Sequence, residues 1–389
     1  MNPYRILYHH RIRAEDGQAV HVREMIGALR TAGHEVLESA LVPKAQANTN
    51  GSSAASGSGF WYKLQLPRVA TECAEILYSR KGTSMILRAA RDFRPDFIYE
   101  RHALHCRSAL DASKRLGVPL LLEVNSPLCD EMAVLGLLNF SAMARKTERA
   151  VLAGADRVLP VSQVLADRLC KLGATESRIR VIRNGADPSR QTDAEESGRE
   201  LRRRLGMDNG QLVLGFVGYM RPWHRIELVL EAMARIARPE VHFVLAGSGP
   251  ALPDLMQRVE ALGLTGRVHA LGAVPRSHVP GICAAFDAAV VPSINDYASP
   301  LKMFDTLSAG VATLALDQPN IRELLTDGET GVLFVPGDVQ SLSDRLCEFV
   351  DDRERLSAIG RAGREALIKN RWTWDGSAER VIQTYEELR

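Results

Sequence analysis

The chain has 389 residues, which is too long for one typical hydrophobic core, so we expect two domains of roughly 150–200 residues each. Hydrophobic residues make up 46% of the sequence and charged residues 25%, as in ordinary globular proteins, and no stretch reaches the roughly 18 apolar residues of a membrane span. The formal net charge is only +2, which argues against a nucleic-acid-binding protein.

Short apolar runs alternate with amphipathic helical patterns along the first half, which is typical of parallel α/β layers. The first run, YRILYH, precedes a helix predicted over residues 18–32 that ends at Gly33. Four further strands are predicted with helices between them, in HEVLESALV, PDFIYE, VPLLLEV and ADRVLPV.

The same pattern restarts at residue 211 and continues to the end of the chain. Six strands are predicted in QLVLGFVGYM, EVHFVLAGS, RVHALGAV, DAAVVPS, VATLALD and GVLFVP, and WTWDGSAERVIQTYEEL reads as a closing helix. Two doubly wound parallel sheets follow from this order. The polar stretch 186–200 between the two series is predicted to be a linker.

A second interruption lies in the first half. Residues 46–59 are rich in Gly and Ser and predict a flexible loop, and three aromatic residues follow directly at positions 60–62. These aromatic residues suit either contact with a membrane or an acceptor, or a helix in the core.

Charge and cysteine content limit the partners further. Residues 1–185 carry 26 Lys/Arg against 18 Asp/Glu, whereas the remainder has the opposite excess. A basic half favours an anionic partner such as a membrane surface, unless its charges are scattered over solvated faces. The six cysteines include no C-x-x-C pair, which argues against a disulfide framework or a structural zinc site, and the N-terminal apolar run is too short for a signal peptide. We therefore expect a cytoplasmic protein.

Ligands of open α/β sheets bind at the carboxyl ends of strands, and four such places have suggestive residues. Gly17 precedes the first helix, where a glycine allows close approach of a ligand but also serves simple turns. The loop after QLVLGFV begins at Gly218 and contains Arg221, Trp223, His224 and Arg225. Its cations suit an anion clamp, or else surface charges around a buried tryptophan.

The third place follows EVHFVLA, where Gly247 opens a Gly-Ser-Gly turn that lacks the third glycine of a dinucleotide fingerprint. The fourth is SPLKMFD, in which Ser299 is predicted as the N-cap and Pro300 as the first helical residue. Lys302 is then a cation at the positive end of a helix, which a bound anion such as a diphosphate explains. The backbone N–H groups of the residues after Pro300, from Leu301 onward, would complete that anion site.

These segments occur in a known order. The sequence resembles GT-B-fold retaining glycosyltransferases of family 4, also called group 1, in DGQAVHVREMIGALRTAGHEV, FVGYMRPWHRIELVLEAM, VLAGSGP, SPLKMFDTLSAG and PNIRELLTDGETGVLF. The resemblance implies two Rossmann-like domains facing a central cleft. Residues 1–190 would form the acceptor-binding domain, with a final helix at 373–389 packing back on it, and residues 191–372 the nucleotide-sugar-binding domain.

The resemblance also implies roles on the donor side. Lys302, Arg221 and His224 would stabilise the diphosphate of a UDP- or GDP-linked sugar, together with the backbone around Gly218, Gly247, Ser299, Pro300 and Leu301. Asp305 would bind the ribose hydroxyls, although alone it suits an exposed first-turn carboxylate. Glu323 would lie near the donor sugar, although it also suits a surface ion pair. No Asp-x-Asp follows a strand, so we expect no metal.

Three positions depart from the family pattern. The first of two spaced glutamates is replaced by Tyr297, the usual cationic residues of the donor loop fall on Tyr219 and His224, and a frequent acceptor-side histidine falls on Asn125. The candidates for the acceptor side are therefore His102, Asn125 and Glu131, each of which also suits a structural role.

The resemblance predicts a metal-independent hexosyltransferase that works without a cofactor, using a saccharide, lipid-linked or small-molecule acceptor in polysaccharide or other glycoconjugate assembly. Through its basic half such an enzyme would associate with the inner face of the membrane. Two alternatives stay open: a GT-B-fold nucleotide-sugar epimerase or phosphorylase, and a non-catalytic subunit that binds nucleotide sugars.

Overall fold

The computed structural model describes residues 3–44, 67–207 and 210–389, which form two compact units. The first unit comprises residues 1–183 and 377–389, and the second comprises residues 184–376. The Gly/Ser-rich segment 46–59 and the aromatic residues 60–62 lie outside the described residues.

The first unit is built on a five-stranded parallel sheet. Its strands are β1 (Arg5–His10), β2 (Glu35–Ala40), β3 (Phe97–Arg101), β4 (Leu120–Val124) and β5 (Arg157–Pro160). Its helices are α1 (Gly17–Thr31), α2 (Arg68–Phe93), α3 (Ser108–Leu116), α4 (Leu128–Val134), α5 (Ser141–Gly154) and α6 (Gln163–Leu172). The strand order β2-β1-β3-β4-β5 reverses between β1 and β3.

The second unit contains a six-stranded parallel sheet. Its strands are β6 (Leu212–Val217), β7 (Val241–Ala246), β8 (Val268–Gly272), β9 (Ala288–Val291), β10 (Ala312–Leu316) and β11 (Val332–Phe334). Its helices are α7 (Ala194–Arg204), α8 (Glu227–Ile236), α9 (Leu252–Ala261), α10 (Val279–Ala284), α11 (Leu301–Ser308), α12 (Pro319–Arg322), α13 (Val339–Asp351) and α14 (Arg353–Lys369), and α15 (Trp374–Glu386) continues into the first unit. The order β11-β10-β9-β6-β7-β8 reverses between β9 and β6.

Strand β6 shows why the second sheet is covered on both faces. All six of its residues are buried, and alternate side chains enter different cores. Leu212, Leu214 and Phe216 belong to one hydrophobic cluster, whereas Val213 and Val217 belong to another. An apolar run without alternation therefore becomes a central strand between two helical layers, as parallel sheets require.

The prediction of a plain linker over residues 186–200 is wrong. This stretch contains a 3₁₀ turn and most of α7, because Ala194, Gly198 and Leu201 recur at helical spacing and are buried. A Cβ on Gly198 would lie 2.7 Å from the backbone of Ala284, so the glycine lets α7 pack closely on α10. Within the described residues, none of the helices has the length and apolar character to cross a bilayer.

Candidate functional site

The richest candidate site lies in the second unit, where the strand order reverses between β6 and β9. Ligands of open α/β sheets bind at the carboxyl ends of strands near such a reversal. The loop after β6 starts at Gly218, and the loop after β9 leads into α11, which carries Lys302. The Lys302 Cε and Nζ atoms lie 3.8 and 3.9 Å from the place where a Gly218 Cβ would stand, so these two predicted residues come together.

Lys302 is a half-buried cation without a counter-ion. Its Nζ lies 4.1 Å from the centroid of the Phe216 ring and 3.4 Å from Nε2 of His224. Across residues 3–44, 67–207 and 210–389, no carboxylate lies within ion-pairing distance of this ammonium group. Burial lowers the pKa of Lys302 to about 7, so an anionic ligand would restore the charged form.

His224 presents a neutral imidazole to the same place. Its Nδ1 accepts the backbone N–H of Arg221 at 3.3 Å, which assigns the ring proton to Nε2, the nitrogen that faces Lys302. Burial, together with the nearby charges of Lys302 and Arg221, lowers the pKa of His224 to about 3. Two nitrogen donors thus converge with no acceptor between them, an arrangement that suits an anion.

Arg221 belongs to the same loop. Its guanidinium carbon lies 4.6 Å from the ring centroid of Tyr219 and 5.3 Å from that of Trp223, and both aromatic rings are about half exposed. No ion pair holds this guanidinium within the described part of the chain. The stacked rings fix its plane and leave its N–H groups available to a ligand.

Three glycines let the loops after β6 and β7 approach closely. Gly218 and Gly247 have φ angles of +135° and +138°, and a Cβ on Gly247 would lie 2.0 Å from the Gly218 carbonyl oxygen. Gly249, which the sequence analysis did not single out, has the same role, since its Cβ would lie 2.3 Å from the Met220 carbonyl oxygen. Met220 N–H donates to Ser248 O at 2.7 Å and joins the loops.

The start of α11 differs from the prediction. Pro300 occupies the N-cap position and no side chain caps the helix, so the prediction of Ser299 as the capping residue is wrong. The Ser299 hydroxyl is buried and instead accepts the backbone N–H of Asn184, whose amide also donates to the Ser299 carbonyl. In the described residues the N–H groups of Leu301 and Lys302 have no acceptor, an arrangement that suits a bound anion.

Asp305 is held by a partner that the sequence did not indicate. Both of its carboxylate oxygens accept from the Arg276 guanidinium, at 2.6 and 2.7 Å. Arg276 follows β8, and Asp305 lies one turn beyond Lys302 on α11. The carboxylate is therefore fixed in orientation, and its side chain keeps 13% of its surface exposed.

Hydrogen bonds also hold the loop between β9 and α11 in place. The Asn295 amide donates to the Tyr297 hydroxyl at 2.7 Å, so the tyrosine that replaces the family acid is itself engaged. The Asn320 amide donates to the carbonyl oxygens of Asn295 and Ala298, while its own buried Oδ1 accepts no hydrogen bond. Glu323 follows α12 directly and is half-buried.

The remaining predicted residues lie in the first unit. Gly17 is exposed and begins α1, which Asp16 caps. The His102 side chain is 4% exposed, with Nε2 3.6 Å from a Glu148 carboxylate oxygen, and neither ring nitrogen has a hydrogen bond within the described residues. The Asn125 amide donates to Glu123, and Glu131 is half-buried on α4.

Comparison with known proteins agrees with this architecture. The family model for glycosyl transferases group 1 matches residues 197–366, and the model for Glycosyltransferase Family 4 matches residues 16–190. The D-inositol 3-phosphate glycosyltransferase of Thermobispora bispora is 30% identical over 332 residues, which cover 78% of this chain and 74% of the relative. The alpha-D-kanosaminyltransferase of Streptomyces kanamyceticus is 27% identical over 294 residues, covering 71% and 75%.

Solved structures show the same fold at lower identity. Anabaena Alr3699/HepE in complex with UDP has a TM-score of 0.74 at 19% identity, covering 98% of this chain and all of that one. Sucrose-phosphate synthase from Thermosynechococcus elongatus has a TM-score of 0.76 at 19% identity, covering 99% of each chain. Both likenesses extend over two parallel-sheet α/β domains of GT-B architecture.

Proposed function

The chain belongs to the group 1, family 4 glycosyltransferases, and from this we propose that it is a retaining enzyme using a nucleoside-diphosphate sugar. One observation carries the proposal: Lys302, the Nε2–H of His224 and the free N–H groups at the start of α11 converge without an anion among the described residues. A diphosphate satisfies all of these donors at once. The UDP and UDP-glucose complexes of HepE support a UDP-linked donor, with GDP as the other nucleotide that we consider.

These donors would act on the leaving group. As the bond between the sugar carbon and the diphosphate oxygen breaks, negative charge grows on the diphosphate and positive charge on the sugar ring. Fixed donors in a site with little water stabilise such charge without reorganising during the step. Since Lys302 and Arg221 already supply two cations, we propose that transfer needs no metal.

Retention of configuration follows from attack on the same face. The acceptor hydroxyl would form the new bond to the sugar carbon, and its proton would pass to the departing phosphate oxygen. Lys302 would keep that phosphate in place while it accepts the proton. No carboxylate of the protein takes part in this scheme, which fits the replacement of the family acid by Tyr297.

Other residues would determine how the substrates are held. We propose that Asp305, oriented by Arg276, binds the ribose hydroxyls, and that Glu323 lies near the donor sugar. Gly218 and Gly247 shape the diphosphate loop through their left-handed backbone. The Leu301 N–H is among the donors at the start of α11 that have no acceptor in the described residues, and we place it at the diphosphate with Ser299 and Pro300. The assignments of Gly17 to the donor, and of His102, Asn125 and Glu131 to the acceptor side, rest on family resemblance alone.

We propose a cytoplasmic role in cell-surface polysaccharide or other glycoconjugate assembly, on a saccharide, lipid-linked or small-molecule acceptor. The excess of Lys and Arg in residues 1–185 supports association with an anionic membrane surface. If the acceptor is lipid-linked, activity should rise with anionic vesicles and fall with added salt. If activity on a soluble acceptor changes with neither vesicles nor salt, membrane association is contradicted. The proposal of a glycosyltransferase would still stand.

The donor proposal is tested by thermal shift with a panel of nucleoside diphosphates and their sugars. A ligand that binds only the folded chain stabilises it by about 2.7 kcal/mol at a hundred times its Kd. We expect the nucleoside diphosphate of one base, and its sugar conjugate, to stabilise the protein. That nucleoside-diphosphate sugar should yield product only when an acceptor is added. Turnover with donor alone would indicate an epimerase, and binding without turnover on any acceptor would indicate a non-catalytic subunit.

A further inference from the structure

Three side chains of different chemistry meet in the interior of the first unit. His9 lies on β1, Glu100 on β3 and Cys106 in the loop that follows β3. Each is at most 2% exposed. His9 and Glu100 are direct neighbours in the parallel pairing of β1 with β3, and the strand order reverses between these two strands. The cluster therefore lies at the place in this sheet where α/β folds commonly bind ligands.

The three groups are spaced as metal ligands. His9 Nδ1 lies 2.7 Å and Cys106 Sγ 3.6 Å from Glu100 Oε1, and all three ligand atoms lie within 4.8 Å of one another. Nitrogen and sulfur ligands of tetrahedral zinc are about 3.5 Å apart, given bonds of about 2.0 and 2.3 Å. Shifts of less than about 1 Å would seat an ion, and no other such cluster occurs in the described part of the chain.

A second observation points to a missing partner. Glu100 Oε2 is buried and accepts no hydrogen bond, although Oε1 accepts from Ala109 N–H and contacts His9 and Cys106. A buried polar atom left without a partner costs about 1–3 kcal/mol, and more when it is charged. A cation beside the carboxylate would remove this cost.

The surroundings suit ligands held in fixed orientation. His9 Nε2 lies 3.1 Å from the Tyr78 hydroxyl, so with Nδ1 on a metal the Nε2–H would donate to that oxygen. Such a second contact is what orients most ligating histidines. The Arg11 guanidinium lies over the Tyr78 ring, with its carbon 5.0 Å from the ring centroid. Carboxylate and thiolate together neutralise a divalent ion.

We propose that His9, Glu100 and Cys106 form a zinc-binding site in the first unit, with the Glu100 carboxylate as one of its three protein ligands. Imidazole, carboxylate and thiolate together favour Zn²⁺ over the hard cations Mg²⁺ and Ca²⁺. A zinc ion bound there would link β1, β3 and the loop after β3. The residues of the site belong to the first unit, whereas Lys302, His224 and Arg221 belong to the second, and the site does not depend on the proposed function. It also departs from the sequence-based expectation that no structural zinc site exists, because the ligands come together only through strand pairing.

The test is the zinc content of the full-length protein, purified without chelators and freed of any affinity tag. We expect about one zinc per chain by elemental mass spectrometry, and less than about a tenth of that in Cys106→Ser and Glu100→Gln. Cys129→Ser removes a thiol of equal burial in the same unit and is the matched control, which should keep its zinc. Cobalt(II) added to the chelator-stripped wild type should give thiolate-to-metal absorption in the near ultraviolet, absent in Cys106→Ser.

Two results would overturn the proposal. One is a folded wild type that holds almost no zinc after growth with added zinc and shows no thiolate absorption with cobalt. The other is zinc that both ligand variants retain, since the metal would then be bound elsewhere. The wild-type measurements decide the matter even if a variant fails to fold, and circular dichroism of each variant identifies that failure.

Discussion

The Nζ atom of Lys302 lies 3.4 Å from Nε2 of His224, and both nitrogens are proton donors when the lysine is charged. Burial lowers the pKa of both side chains, to about 7 for the lysine and about 3 for the histidine. In the free protein this contact is therefore repulsive below about pH 7, where the lysine is mostly charged. A bound diphosphate would accept from both groups and turn the repulsion into a pair of charge-assisted hydrogen bonds.

Removing the cation should impair the reaction more than binding. We expect Lys302→Ala to weaken nucleoside-diphosphate binding several-fold and to lower kcat more than about tenfold, because charge on the leaving group is greatest in the transition state. Lys302→Met should do the same while keeping packing against Phe216. Calorimetry and initial rates measure the two effects, and the exposed Lys369→Ala serves as control. Unchanged kinetics in both Lys302 variants would refute the assignment.

Donor binding should take up a proton above pH 7. The pKa of Lys302 is about 7 in the free protein, so the amine loses its charge as the pH rises. A bound diphosphate favours the charged amine and raises its pKa. Affinity should therefore fall between pH 7 and 9, at most about tenfold per pH unit. His224 stays neutral throughout this range.

Calorimetry in two buffers with different ionisation enthalpies measures this uptake. We expect an uptake approaching one proton at pH 8, because most of the free amine is neutral there and the bound amine is charged. Lys302→Met is the control, and its binding should show no dependence on the buffer. An equal uptake in that variant would assign the proton to another group and contradict this account of Lys302.

Gly247→Ala should damage the diphosphate loop. Its Cβ would lie 2.0 Å from the Gly218 carbonyl oxygen, and neither strand end can yield, since Gly218 N–H donates to Ala246 O and Gly247 N–H to Gly272 O. We expect a lower free energy of unfolding and a loss of nucleotide affinity. The control is Gly263→Ala, at φ +66° with no atom within 4 Å of its Cβ, which should cost only the left-handed backbone penalty of about 1–2 kcal/mol. Equal losses of affinity in the two variants would contradict the close-approach explanation.

Much of the fold could be predicted because every strand is a short apolar run with a turn or helix signal at each end. The sequence also points to the proposed donor site, since Lys302 is unfavourable at a helix start unless something anionic binds there. The sequence could not show that Ser299 does not cap α11, because its hydroxyl accepts a hydrogen bond from Asn184, 115 residues earlier. Helix α7 was missed because two of its three buried positions, Ala194 and Gly198, are small residues that carry little hydrophobic signal.

Contacts between distant loops explain the other omissions. Arg276 and Asp305 are 29 residues apart, and His9 and Glu100 are 91 residues apart. Such pairs depend on strand order, which local patterns of hydrophobicity do not encode. The sequence could show that Asp305 was a carboxylate in the first turns of a helix, but not that an arginine would occupy both of its oxygens.

A ribose-binding role of Asp305 can be distinguished from a purely structural ion pair with Arg276. If the carboxylate binds the ribose, wild type should prefer UDP over its 2′,3′-dideoxy analogue by roughly ten- to a hundredfold, since a hydrogen bond to a charged group contributes about 1.5–3 kcal/mol. Asp305→Asn should weaken UDP binding and lose most of this preference. Arg322→Ala breaks a similar but exposed ion pair with Asp317 in the same unit, and it should leave both quantities unchanged. Should Asp305→Asn lose stability yet keep the full preference for the ribose hydroxyls, Asp305 would serve only to hold Arg276.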